Sequence, residues 1–125
     1  PELGQRLSDG KTNVLFVGRV SPNKGHVHLM NTVLYYRMLF DDNIRLVIAG
    51  HVSPHLTKYY AHLLRMARSL GISKNVEFWG KVTTRQLASL YRESDAYLLL
   101  SEHEGFCVPI LEAQSQGLPV IAYDS

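Results

Sequence analysis

The chain has 125 residues, a length suited to one domain. It is 46% hydrophobic and 19% charged with a net charge of +2, enough apolar matter for an ordinary core and too little positive charge to argue for nucleic acid. The lysines and arginines are scattered without a dense run, and a single cysteine excludes an internal disulfide framework and suits a reducing compartment. There is no signal peptide and no apolar run of about 18 residues, the length a transmembrane span needs.

In chain order, Asn13 to Val17 reads as a buried strand. His26 to Phe40 reads as a helix with Leu29, Val33, Tyr36 and Phe40 at helical spacing. Ile44 to Ala49 is a second buried strand, ended by Gly50. Pro54 to Leu70 is a helix with the stripe Leu56, Tyr60, Leu63, Leu64, Ala67 and Leu70, and Gly71 stops it. Asn75 to Phe78 is a third strand, and Thr84 to Glu93 a helix capped by Thr83, with Leu87, Leu90 and Tyr91 turned inward. Ala96 to Leu100 is a fourth strand, Pro109 to Gln116 a helix whose first position is Pro109, and Val120 to Ala122 a fifth strand. Alternation of apolar strands with helices predicts an α/β fold, a Rossmann-like parallel sheet in the order 3-2-1-4-5 with helices on both faces. The chain starts at Pro1 and stops at Ser125 just past a strand, which reads as one domain, residues 1–125, cut from a longer protein.

In open sheets of this kind ligands bind at the carboxyl ends of the strands. The unusual polar residues fall there: Arg19 and Lys24 after the first strand, His51 after the second, Lys81 after the third, and Glu102, His103 and Glu104 after the fourth. Asp41-Asp42-Asn43 and Ser73-Lys74, at the other edge, are ordinary turn chemistry. An arginine such as Arg19 can fork onto phosphate oxygens and a lysine such as Lys24 can act as a mobile point charge; the plain alternative is two solvated loop charges. Gly105 turns the chain into a helix whose first N–H groups have no internal partners, a start that attracts anions. Glu112 falls in the first turn of that helix, where a favourable interaction with the helix dipole would explain it without any ligand. His26-Val27-His28 has no spacing suited to a metal pair, and no Asp-x-Asp pair is present to hold a divalent ion, so no metal and no cofactor are expected.

Five segments carry a resemblance to a known family. Glu104 and Glu112, with seven residues between them, resemble the E-x7-E motif of retaining glycosyltransferases with the GT-B fold, the glycosyl transferases group 1 family. Gly18-Arg19-Val20-Ser21-Pro22-Asn23-Lys24-Gly25 looks like its G-R-x5-K-G loop, and Val76-Glu77-Phe78-Trp79-Gly80-Lys81-Val82 like its V-x-F-x-G-x-V strand end. Leu90-Tyr91-Arg92-Glu93-Ser94-Asp95 is similar to its L-Y-x-x-x-D segment, and Gly117-Leu118-Pro119-Val120-Ile121-Ala122 to its G-x-P-V-I-A strand.

The resemblance implies the C-terminal, donor-binding half of a two-domain enzyme that moves a sugar from a nucleoside-diphosphate sugar to an acceptor. The acceptor domain would precede it in the same chain. The enzyme would be cytoplasmic, peripheral at a membrane through the missing half if at all. By resemblance, Arg19 and Lys24 hold the diphosphate from a loop opened by Gly18. Glu104 contacts the donor sugar near the reacting centre, and Glu112 binds the ribose. Lys81 and Val82 meet the base through their backbone, and Gly105, Phe106, Cys107 and Val108 act through theirs. Cys107 departs from the glycine often found there, and a small packing residue is a better reading than a reactive thiol at a helix N-terminus. Phe78 and Trp79 suit the core better than base stacking. Other classes stay open. A dehydrogenase-like domain lacks its G-x-G-x-x-G turn, and a glycosidase would use paired carboxylates without the two cations. A non-catalytic nucleotide-sugar module would keep every motif.

Overall fold

The computed structural model describes residues 7–99 and 108–122, the stretch 108–110 by its backbone only. Five strands form a single sheet: β1 (Thr12–Val17), β2 (Ile44–Ala49), β3 (Val76–Gly80), β4 (Ala96–Leu99) and β5 (Val120–Ala122). Their order is β3-β2-β1-β4-β5, and every neighbouring pair is parallel. Four helices connect them: α1 (His26–Leu39), α2 (Thr57–Ser69), α3 (Thr84–Glu93) and α4 (Val108–Ser115). The chain leaves β1 towards one edge and returns at β4 to run towards the other, so the switch point lies between β1 and β4.

Right-handed crossovers decide which face each helix takes. Phe16, Ile48 and Phe78 stand in one row across β1, β2 and β3. The His26 ring of α1 lies 5.3 Å from Phe16, and the Tyr60 ring of α2 lies 5.1 Å edge-on from Phe78. Both helices therefore cover the same face. The crossover from β3 back to β4 runs the opposite way and puts α3 on the other face, where its Tyr91 ring stacks 6.4 Å from Tyr97. Leu15, Leu46, Val47, Ile48 and Leu98 fill the middle layer, buried from both sides.

The amino edge is fixed by polar contacts. Asn13 N–H donates to the Asp95 carboxylate and Asp95 N–H donates to the Asn13 carbonyl, both 2.7 Å. Asp95 of the L-Y-x-x-x-D segment is thus a tie between β1 and β4, far from the carboxyl ends. The buried Arg45 pairs with Asp9 and with Glu77 (3.1 Å) and donates to the Asn13 side chain (3.1 Å). Its guanidinium holds the Asp9 carboxyl below its ordinary range. Trp79 donates from its ring N–H to Glu77 (3.1 Å), and both Phe78 and Trp79 lie against the core.

Several boundaries move from those read in the sequence. The strand expected at Asn75 to Phe78 runs from Val76 to Gly80, because the buried Asn75 is a corner whose side-chain amide donates to the Asp42 and Ile44 carbonyls. The helix expected from Pro54 is a 3-10 turn, Pro54–Leu56, followed by α2. Thr83 caps α3 as expected, with its hydroxyl accepting from Gln86 N–H (3.1 Å) and the Gln86 side chain accepting from Thr83 N–H (2.8 Å). Phe40 and Leu64 are not core residues. Phe40 lies past the end of α1, 74% exposed, with its ring against Tyr36; Leu64 points between the inner and outer sides of α2.

Candidate functional site

The carboxyl ends of β1, β2 and β3 are tied into one rim. Gly18 N–H donates to the Ala49 carbonyl (2.9 Å), Val20 N–H to the His51 carbonyl (3.1 Å), and Gly50 N–H to the Gly80 carbonyl (2.8 Å). Arg19, His51 and Lys81 all branch from this row and are exposed. Gly50 makes the approach possible. A Cβ there would lie 1.8 Å from the Gly18 carbonyl oxygen, so no other residue fits without parting β1 from β2.

After Val20 the chain makes a 3-10 turn, Pro22–Lys24, and Gly25 swings through φ 79° into α1. Lys24 closes this turn, half-exposed. Directly below, His26 is fully buried against Phe16 and, at 6.4 Å, Tyr59. Neither ring nitrogen has a hydrogen-bond partner. Burial pushes its pKa down to about 4; the Ser21 carbonyl opposes the shift and Lys24 adds to it. His26 is a neutral wedge under the cationic loop, while His28 is exposed, so the two do not converge. Sequence reading missed this role. A histidine between a glycine and an apolar helix face is the only trace it leaves.

On the opposite face, Glu112 lines a cavity of about 280 Å³ between α3 and α4, together with Thr84, Leu87, Ala88, Tyr91, Ser115 and Gln116. Thr84 opens α3, two residues beyond Val82, so the cavity starts beside the Lys81–Val82 end of the rim. Glu112 is half-buried. It does not lie in the first turn of its helix, because α4 begins at Val108, one residue before Pro109, and Glu112 falls in the second turn. The dipole effect fades within the first turn, so it no longer accounts for a carboxylate here. Glu104, Gly105, Phe106 and Cys107 lie outside the described residues, as does the side chain of Val108; the backbone of Val108 opens α4.

The family model of glycosyl transferases group 1 matches residues 4–125. The chain belongs to the glycosyl transferases group 1 family. It is 37% identical over 115 residues to the D-inositol 3-phosphate glycosyltransferase of Corynebacterium glutamicum, which takes in 87% of this chain and 26% of that protein. It is 33% identical over 115 residues to an uncharacterized glycosyltransferase of Methanocaldococcus jannaschii, covering 92% of this chain and 28% of that one. The chain thus spans about a quarter of the length of these relatives. Among solved structures, the C-terminal domain of the group 1 protein LpcC from Francisella tularensis superposes with a TM-score of 0.81 at 23% identity, over 97% of this chain and 63% of the other. HepE of Anabaena, solved with UDP and glucose, gives 0.86 at 24% identity, over 97% of this chain and 32% of the other.

Gly18, Arg19 and Lys81 stand along one rim, Lys24 closes the turn that follows it, and Glu112 lines the cavity between α3 and α4. The sheet is Rossmann-like, as the motifs led one to expect, and shares its fold with these group 1 neighbours. Tyr97 is the residue of this group 1 chain that its sequence hides best. It looks like one more apolar strand residue, but its hydroxyl sits at the carboxyl end of β1. A tyrosine inside a buried strand must satisfy its hydroxyl somewhere, and that is the available signal.

Proposed function

We propose that this chain is the donor-binding domain of a glycosyltransferase that takes a sugar from a nucleoside-diphosphate sugar with retention of configuration. The observation that carries this reading is the rim at the carboxyl ends of the strands that bears Arg19 and Lys81, with Glu112 lining a cavity between α3 and α4, the helices that follow β3 and β4. A nucleoside laid there has its ribose hydroxyls at Glu112 and its base by the Lys81–Val82 backbone. Its diphosphate then runs towards Arg19, Lys24 and the first N–H groups of α4. Membership of the family supports the reading, as do UDP and UDP-glucose bound to the HepE neighbour.

The chemistry follows from the charges. As the sugar leaves, negative charge builds on the nucleoside diphosphate, and Arg19 and Lys24 stabilise it where it forms. Attack from the same face lets the leaving phosphate help take the acceptor proton. Glu104 then orients the donor sugar rather than bonding to it. The acceptor is held by a second domain of the same protein, which closes the cleft against water. Aligning the acceptor hydroxyl with the anomeric carbon is worth about 7–11 kcal/mol of barrier, so the present 125 residues bind donor and transfer nothing by themselves.

Calorimetric titration with UDP, GDP and ADP, each beside its nucleoside, tests this. One diphosphate should bind more tightly than its nucleoside. Equal affinity for both would remove the diphosphate site from the rim.

A further inference from the structure

The outer surface of the α1–α2 layer combines two stripes that its sequence keeps apart. On α1 the outward positions near the C-terminal end are Tyr35, Met38 and Leu39, which are 58%, 69% and 74% exposed, and Phe40 follows them. They are spaced by three and four residues, on the side of the helix opposite the buried Leu29, Met30 and Val33. On α2 the outward positions are Lys58, Arg65 and Arg68, opposite the buried Leu63 and Ala67. The helices lie side by side on one face of the sheet, and the Arg37 guanidinium reaches from α1 to the Gly71 carbonyl just past α2. The two stripes therefore share one surface. Among the described residues no carboxylate pairs with Lys58, Arg65 or Arg68. From Asn43 to Val76 the sequence has no carboxylate at all; Asp41 and Asp42 lie beyond the end of α1, and Asp42 pairs with Lys74.

We infer that this layer docks onto an anionic lipid surface. Four large apolar side chains exposed together are unusual on a surface that remains in water. Beside a row of cations they match an anionic bilayer: Tyr35, Met38, Leu39 and Phe40 enter the headgroup boundary, and Lys58, Arg65 and Arg68 meet the lipid charges. The long cationic stems can lie along the apolar stripe with their charges in the headgroups. Among the described residues no helix is long and apolar enough to cross a membrane, so this contact rests on the surface. The rim with Arg19 lies at the carboxyl ends of the strands and the stripe on the flank of the sheet. A docked molecule keeps its donor site open to water.

Vesicle flotation of the intact protein carrying this chain tests the inference. It should float with vesicles of phosphatidylcholine and phosphatidylglycerol and stay behind with phosphatidylcholine alone, and added salt should weaken the binding. Each cation near an anionic surface strengthens binding about fivefold. Lys58→Glu with Arg65→Glu and Arg68→Glu should therefore weaken it roughly a hundredfold or more. The corresponding glutamine changes guard against misfolding and should give an intermediate loss with an unaltered circular dichroism spectrum. Met38→Ser with Leu39→Ser should remove the part of the binding that survives salt. The inference fails if the unaltered protein ignores phosphatidylglycerol, or if the triple variants bind as well as it does. It fails equally if soluble polyglutamate binds as tightly as the vesicles and the serine variant is indistinguishable, since the surface would then recognise acidic polymer instead of lipid.

Discussion

The Tyr97 hydroxyl donates to the Val17 carbonyl at 3.1 Å and accepts from the Val17 N–H at 3.2 Å. Val17 ends β1, and among the described residues the ladder between β1 and β4 pairs Val14 with Ala96 and Leu15 with Tyr97. One phenol thus takes over where the ladder stops, at the switch point of the sheet. It holds the residue that feeds Gly18 and Arg19.

Tyr97→Phe keeps the ring and removes both bonds. Leaving two part-buried backbone groups short of partners costs up to about 1–3 kcal/mol, which a shift of the urea midpoint at unchanged slope would register. The same variant should also bind nucleoside diphosphate less tightly at full folding, because the loop start is less fixed. An unshifted midpoint would mean that water replaces the phenol at no cost.

Gly50→Ala tests the closure of the rim. Its methyl would meet the Gly18 carbonyl oxygen at 1.8 Å, so β1 and β2 must part at their ends. Overpacking of this kind costs about 1–3 kcal/mol. Diphosphate affinity should fall further than the loss of folded protein explains, because Gly18 and Arg19 move with the strand. A variant with native stability and affinity would show that the strand ends adjust freely.

His26 makes stability depend on pH. It takes up its proton only near pH 4 when folded, whereas an unfolded histidine does so near 6.5. Between these values the unfolded chain binds more protons, so stability falls as pH falls from about 6.5 towards 4, by at most about 3 kcal/mol. Asp9 also loses stabilising charge in acid, but only below its ordinary range. His26→Leu should flatten the urea midpoint between pH 7 and 5. The same slope in both proteins would place the titration elsewhere.

Arg19→Ala and Lys24→Ala should each weaken nucleoside diphosphate binding about tenfold or more, at about 1.5–3 kcal/mol per charged hydrogen bond. The nucleoside itself should be little affected. Binding should also survive a chelator, since the two cations and a helix start neutralise the diphosphate between them. Calorimetry on the variants, with and without the chelator, reads both effects. A strict magnesium requirement would contradict the assignment.

The two glutamates should separate in the intact protein. Glu104→Gln should lose most turnover while keeping diphosphate affinity. Glu112→Gln should lower the affinity through the ribose, by about 1.5–3 kcal/mol if it accepts as a carboxylate. Turnover rates and diphosphate titrations of the two variants check this. Full activity of the Glu104 variant would put the chemistry elsewhere.

The sequence by itself determined the fold and the edge of the sheet on which Arg19, Lys24 and Lys81 stand. Apolar runs such as Ile44–Ala49 have to be buried on both faces, and alternation with helices leaves the parallel sheet as the economical arrangement. Arg19, Lys24 and Lys81 were legible because each follows a strand, and strand ends in such sheets line one edge. Tertiary structure decided what depends on neighbours distant in the chain. The Tyr97 hydroxyl finds Val17 across 80 positions, and the Gly50 backbone meets Gly18 across a strand pair. Spacing also misjudged Phe40 and Leu64, because an apolar period continues past the point where a helix end or a neighbour stops covering it. The sharpest case is charge. Along the chain the cations look scattered, but a helix repeats about every 3.6 residues, so Lys58, Arg65 and Arg68 come to one side of α2. A parallel neighbour, α1, then sets Tyr35, Met38 and Leu39 beside them. No linear reading contains that surface, because it exists only once two helices lie on the same face of one sheet.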